Sequence, residues 1–209
     1  MVIIWGIVPL PADVAPTDFT APIGGASALT RAVRAMSSAA PVLVVVAEPS
    51  LTVTRECLAA NDLGDCTVLA AAGAASFRDC VRTALDHLRG EPVGVTHVVV
   101  HDVRYPLATA ELSTRVSTGL RDHDVVLPVL PMVDSVKVVD AQGVVGGNVD
   151  RAELCTVQYP RGYSVAALAR WLDGEDLMPE AATVDGDPNA FAVDLVQDRA
   201  LVEAILTAG

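Results

Sequence analysis

The chain has 209 residues and a formal net charge of −12, and 52% of its side chains are hydrophobic while only 4% are aromatic. That length supports a sizeable buried core, in one large domain or two small ones. The acidity excludes nucleic acid and anionic membrane surfaces as partners, and no apolar run approaches the ~18 residues of a membrane span.

The first ten residues are apolar, and the first positive side chain is Arg31. Without a basic leader there is no signal-peptide pattern, so the cytoplasm is the expected compartment. Cys57, Cys66, Cys80 and Cys155 have no CxxC spacing and read as small core residues. Lys137 is the only lysine, so every other one of the 14 basic residues is an arginine.

Residues 2–10 read as a first buried strand. The proline-broken stretch 11–22, with Asp13 and Asp18, reads as irregular. Leu29, Ala32, Val33 and Met36 share one face of a helix over 27–36. A strand at 42–47, a helix from Pro49 to about Asn61 and a short strand at 66–70 follow. Ser76 with Asp79 three residues on predicts a capped helix through Leu88, closed by Gly90. Val98, Val99 and Val100 form a run without polar alternation, which suits a strand buried on both faces. The strand stops on His101-Asp102-Val103-Arg104-Tyr105-Pro106. Ligands of open α/β sheets sit beyond the carboxyl ends of such strands, so His101, Asp102 and Arg104 are placed on a binding rim.

A helix over 107–121 with Thr109 as cap and a strand at 125–130 come next. Two β-rich runs around Ala141-Gln142-Gly143 read as a hairpin with too little alternation for a core pair, so it is expected to project. Residues 155–158 return to the sheet, Ser164 caps a helix through Leu172, and 173–187 is acidic and turn-rich. A last strand is expected at 191–195 before a helix over 199–206. Repeated strand–helix units with no linker predict one α/β domain over 1–209, doubly wound on a mainly parallel sheet.

No GxSxG, HExxH, CxxC or GxxxxGK[ST] occurs, so those hydrolase, zinc and P-loop chemistries lack their residues. His87 in a helix and His123 before a strand have no sequence partner and read as packing or surface residues.

What remains is His101-Asp102, Asp134-Ser135-Val136-Lys137 and Val149-Asp150-Arg151, followed by Tyr159-Pro160-Arg161. In this order the motifs resemble those of the methylerythritol-phosphate cytidylyltransferase (IspD-like) family: H-D-A-A-R-P, D-T-[IMV]-K, V-D-R and T-P-Q. The resemblance implies a nucleotidyltransferase fold with a projecting arm at about 135–149 that makes a homodimer. It also implies attack of a substrate phosphate on the α-phosphate of CTP, releasing pyrophosphate. Such in-line transfer needs positioning and positive charge around the phosphates, with no protein nucleophile.

By the same resemblance Asp102, Arg104 and Lys137 are the catalytic candidates, with Asp102 also holding Mg²⁺ if the chain is active. Pro9, Arg78, Cys80 and Asn189 border the nucleotide. Asp134, Ser135 and Arg151 meet the phosphorylated alcohol, Arg151 from across the dimer.

The departures from the family pattern matter as much. The family's first loop is glycine-rich and cationic, so that backbone N–H groups and cations cradle the triphosphate. Residues 9–20 here have neither glycine nor cation and supply Asp13 and Asp18. The family's C-terminal lysine position falls at Phe191, and Arg78 and Arg104 each stand one residue from a family arginine. One lost charge-stabilising group typically costs on the order of 10²–10³ in rate, and several together, though not multiplicative, roughly 10⁴. The expectation is a divergent member with reduced or lost catalysis. The alternatives are a non-catalytic binding or partner-regulating homologue, or a transferase of another nucleotide.

Overall fold

A computed structural model gives the fold and describes residues 2–37, 40–92 and 94–208. In chain order it runs β1 (Ile4–Leu10), α1 (Pro16–Thr20), β2 (Pro22–Ile23), β3 (Ala26–Ser27), α2 (Ala28–Ser37) and β4 (Val42–Ala47). Then come α3 (Leu51–Ala59), β5 (Thr67–Ala71), α4 (Phe77–Arg89), β6 (His97–Val100), α5 (Ala110–Gly119) and β7 (Val125–Pro131). The remainder is β8 (Val136–Val139), β9 (Val145–Val149), β10 (Cys155–Val157), β11 (Arg161–Ser164), α6 (Val165–Leu172), β12 (Ala182–Asp185) and α7 (Arg199–Ala208).

The large sheet is mixed and mostly parallel. β4 pairs parallel with β1 and β5, and β6 pairs parallel with the other edge of β1. β11 lies antiparallel between β6 and β7, and β7 also takes β10 antiparallel and β12 parallel. The chain leaves β1 for β4 on one side and returns to β6 on the other. That reversal opens a crevice at the carboxyl ends of β1 and β6, where such sheets bind ligands.

Side-chain alternation explains why the middle strands are apolar throughout. Val44, Val46, Leu10 and Val99 pack on one face with α2 residues such as Leu29 and Val33. Leu43, Val45, Val98 and Val100 pack on the other with Val81 and Leu85 of α4 and Leu168 of α6. Both faces are covered, so a polar residue at any of these positions would be buried.

Three sequence expectations are corrected. Residues 11–22 are not wholly irregular, because Pro16 starts α1, where its missing N–H is harmless, and fully buried Phe19 anchors the turn. Residues 191–195 form no strand. They run as extended coil, with Val193 and Leu195 buried in the core and the Val193 N–H donating to the Arg104 carbonyl. β11 and β12 were not expected. Gly162 is the reason β11 fits: a Cβ there would meet Val116 Cγ1 at 2.8 Å and Leu120 Cδ1 at 2.9 Å.

The hairpin of β8 and β9 forms its own two-stranded sheet, joined among the described residues to no strand of the large one. Gly143 turns its tip with φ of 82°. Val138, Val139, Val144 and Val145 are all more than half exposed along it.

Candidate active site

β6 ends with the His101 N–H donating to the Ile7 carbonyl of β1 at 2.9 Å, so the next residue stands at the mouth of the crevice. His101 itself is fully buried, and neither ring nitrogen has a hydrogen-bond partner among the described residues. Burial pushes its pKa down to about 4, which keeps the imidazole neutral.

Asp102 follows, and its carboxylate is taken by a neighbour two residues away. Arg104 donates its backbone N–H to Oδ1 at 2.9 Å, its Nε to both oxygens at 3.1 Å, and its Nη2 to Oδ2 at 2.6 Å. The Asp102 side chain is 4% exposed and that of Arg104 54%. The pair therefore shows the crevice a guanidinium, with the carboxylate behind it. These bonds hold the Arg104 charge more firmly than in an ordinary arginine, and Asp13 of the first loop lies close enough to add to that.

A ring stack borders this pair. Tyr105 and Tyr159 have centroids 5.2 Å apart, and Phe77 meets Tyr159 edge-on at 6.2 Å. Arg161 lies over the Tyr159 ring at 4.2 Å, a cation–π contact, and donates its Nε to the Gln158 carbonyl at 3.3 Å. Burial pushes the Tyr159 hydroxyl up to about 12, so it stays protonated.

Of the nucleotide candidates, Pro9 is buried within β1, and the Cys80 thiol is buried beneath the first loop, 3.7 Å from the Leu10 carbonyl. Burial pushes that thiol up to about 11, so it is no nucleophile. Arg78 is turned away: its guanidinium lies 4.6 Å over Trp171 and donates to the Leu172 carbonyl. Asn189 is exposed on a turn fastened by buried Gln158, whose amide donates to the Asp187 and Ala190 carbonyls and accepts from the Asp187 N–H.

Ser135, Lys137 and Arg151 come together at the base of the hairpin around an open cavity of about 420 Å³. Lys137 donates to Asn148 across the strands, and Arg151 donates to the Val133 carbonyl at 2.6 Å. Asp134 is exposed beside them. Among the described residues no hydrogen bond or ion pair links this group to Asp102 or Arg104, so one protomer holds two separate clusters.

A magnesium ion takes six oxygens and usually one or two carboxylates besides phosphates and water. Among the described residues no three His, Cys, Asp or Glu side chains gather as a metal site, and the oxygens of Asp102 already accept from Arg104. As arranged, with both Asp102 oxygens accepting from Arg104, these residues do not fit a divalent ion.

The sequence names Arg161 within the Tyr159-Pro160-Arg161 motif but gives it no role, because its place depends on stacking against a tyrosine that has no helical or strand signature. The spacing Asp-x-Arg at 102–104 was the available signal for the fork, since a turn of that length folds the arginine back onto the carboxylate.

The sheet order, the crevice and the cationic rim define a nucleotidyltransferase-like α/β protein. A family model for 2-C-methyl-D-erythritol 4-phosphate cytidylyltransferase matches residues 15–185. The chain is 35% identical over 201 residues to the enzyme so named from Rhodococcus jostii, covering 87% of this chain and 84% of that one. It is 34% identical over 199 residues to the Frankia casuarinae protein of the same name, covering 88% and 72%. Its fold matches 4-diphosphocytidyl-2C-methyl-D-erythritol synthase from Anaerococcus prevotii with a TM-score of 0.79 at 17% identity, over 99% of both chains. It also matches the Thermus thermophilus cytidylyltransferase with a TM-score of 0.71 at 24% identity, over 97% of this chain and 98% of that one. The chain belongs to the 2-C-methyl-D-erythritol 4-phosphate cytidylyltransferase family.

Proposed function

We propose that the chain binds CTP and a small phosphorylated alcohol of the methylerythritol phosphate kind in the crevice between β1 and β6. We propose further that it transfers the cytidylyl group far more slowly than its catalytic relatives. The observation that carries this reading is the make-up of the rim. The first loop offers Asp13 and no cation, and Asp102 is committed to Arg104. The relatives' names supply the two substrates, and 35% identity over most of the chain supports the same pair here.

In this reading Arg104 neutralises phosphate charge at the crevice while Asp102 positions it. The Pro9 end of β1, the Cys80 wall and the Asn189 turn border the nucleotide. Arg78, engaged with Trp171, does not make up for the missing loop cations. Ser135, Lys137 and Arg151, with Asp134 at their edge, hold the phosphate of the alcohol. With no hydrogen bond or ion pair among the described residues joining them to the rim, this reading takes them from a second copy, whose arm delivers them across a homodimer, and the exposed valines of the hairpin supply the apolar contact. The protein is assigned to the cytoplasm. The Mg²⁺ of the family pattern enters no step, because reaching Asp102 would require Arg104 to let go.

A second reading, ordinary cytidylyl transfer, is favoured by the retained Asp102, Lys137 and Arg151. Calorimetry with each substrate, beside chromatography of a mixture held with excess protein, separates the two. Binding of both substrates with only trace product is expected. Complete conversion within a few turnover times of a catalytic relative would overturn the first reading.

A further inference from the structure

The geometry points to a phosphate site that works without metal: the Arg104 guanidinium stands on Asp102 in place of a divalent ion and, with Arg161, contacts nucleotide phosphate directly. This rests on the reading that the crevice binds a nucleotide. Three observations carry it. The Asp102 carboxylate is 4% exposed and faces its own arginine through a two-pronged contact with Oδ2 at 2.6 Å, so an ion has no free oxygen to approach. A guanidinium has five N–H donors, and Nη1 of Arg104 has no protein partner among the described residues, which leaves donors aimed outward from a half-exposed side chain. The Arg161 guanidinium carbon lies 4.2 Å from the centroid of Tyr159, in the same ring stack as Tyr105, and the Tyr105 hydroxyl sits in the field of both arginines.

Planar guanidinium groups bind phosphate oxygens in pairs, with geometry that a hydrated ion does not need to share. Magnesium on a triphosphate would occupy the oxygens that these two groups require. It would also have to displace a buried pair to gain one carboxylate, while keeping most of its tightly held water. Arg161 over the Tyr159 ring, with Tyr105 stacked against it, puts the phosphate held by the arginines on the Tyr105–Tyr159 side.

The relation to magnesium should thus be inverted from that of a metal-dependent transferase. Calorimetric titration of the full chain with CTP, once in EDTA and once in millimolar MgCl₂, reads it. The wild type is expected to bind more tightly in EDTA. Arg104→Gln is expected to lose about tenfold or more of the metal-free affinity, and to bind more tightly when magnesium is added because Asp102 is released. Arg161→Gln, which leaves the Asp102 fork whole, is expected to lose metal-free affinity without gaining a response to magnesium. Circular dichroism melts establish that each variant is folded. Tightening of the wild type by magnesium, or an unchanged metal-free affinity in Arg104→Gln, overturns the inference while leaving nucleotide binding in place. Absence of CTP binding under both conditions overturns the nucleotide reading itself, and this inference with it.

Discussion

Gln158 and Ala190 are joined across 32 residues by a 2.6 Å hydrogen bond from the buried amide to the backbone carbonyl. The same side chain donates to the Asp187 carbonyl at 2.8 Å and accepts from its N–H at 2.9 Å. One residue that is 1% exposed therefore fixes the whole turn that presents Asn189.

Replacing Gln158 by Ala would leave the buried Ala190 carbonyl and the part-buried Asp187 N–H without this partner, while the Asp187 carbonyl keeps the Ala190 N–H. A loss of about 2–4 kcal/mol of stability is expected, read as a lower midpoint in urea unfolding at unchanged slope. A variant within about 0.5 kcal/mol of the wild type would show that water replaces the amide.

Gly162 gives a second structural test. Alanine there would press a methyl group to within 3 Å of Val116 on α5 and of Leu120 just after it. Gly162→Ala should cost about 1–3 kcal/mol by overpacking, since the contact falls in the middle of a strand that pairs on both sides. Thermal unfolding measures it, and an unshifted midpoint would mean that α5 moves away freely.

His101 sets a pH dependence. The unfolded chain protonates this imidazole near 6.5, the folded chain only near 4, so the unfolded state binds more protons between those values. Its contribution to stability is complete above pH 6.5 and declines as pH falls toward 4, by on the order of 3 kcal/mol. His97 shifts in the same direction, so the comparison is with His101→Phe, whose stability should change less between pH 7 and 4.5. Parallel curves for the two proteins would contradict this.

The arm predicts the oligomeric state. Val138→Asp with Val145→Asp places charge on two residues that are 53% and 61% exposed in one protomer. Sedimentation should find a dimer for the wild type and a monomer for the double variant. A monomeric wild type would leave Lys137 and Arg151 without a route to the crevice.

Much of the frame was legible in the sequence because local rules and burial agree there. The Ser76–Asp79 capping box forms as spelled, and the unbroken valines of β4 and β6 are buried on both faces. β11 was hidden because Arg161-Gly162-Tyr163-Ser164 lacks β-branched residues, and its place is decided by the space that Gly162 leaves for α5. Residues 191–195 misled in the other direction: Phe191, Val193 and Leu195 alternate like a strand but bury as coil, tied by one backbone bond to Arg104. At the site, the end of a buried strand put Asp102 on the rim, and the arm residues were picked out only by the family resemblance. The fork on Asp102 and the stacking of Arg161 depend on contacts that no periodicity encodes.

The most direct test of the account is the initial rate of CTP-dependent pyrophosphate release with methylerythritol phosphate, measured beside the Rhodococcus jostii relative under identical conditions. A first loop without a cation and a committed Asp102 predict a rate lower by about 10⁴-fold, or none above background. A rate within about a hundredfold of the relative's would contradict it and restore the chain to the ordinary enzymes of its family.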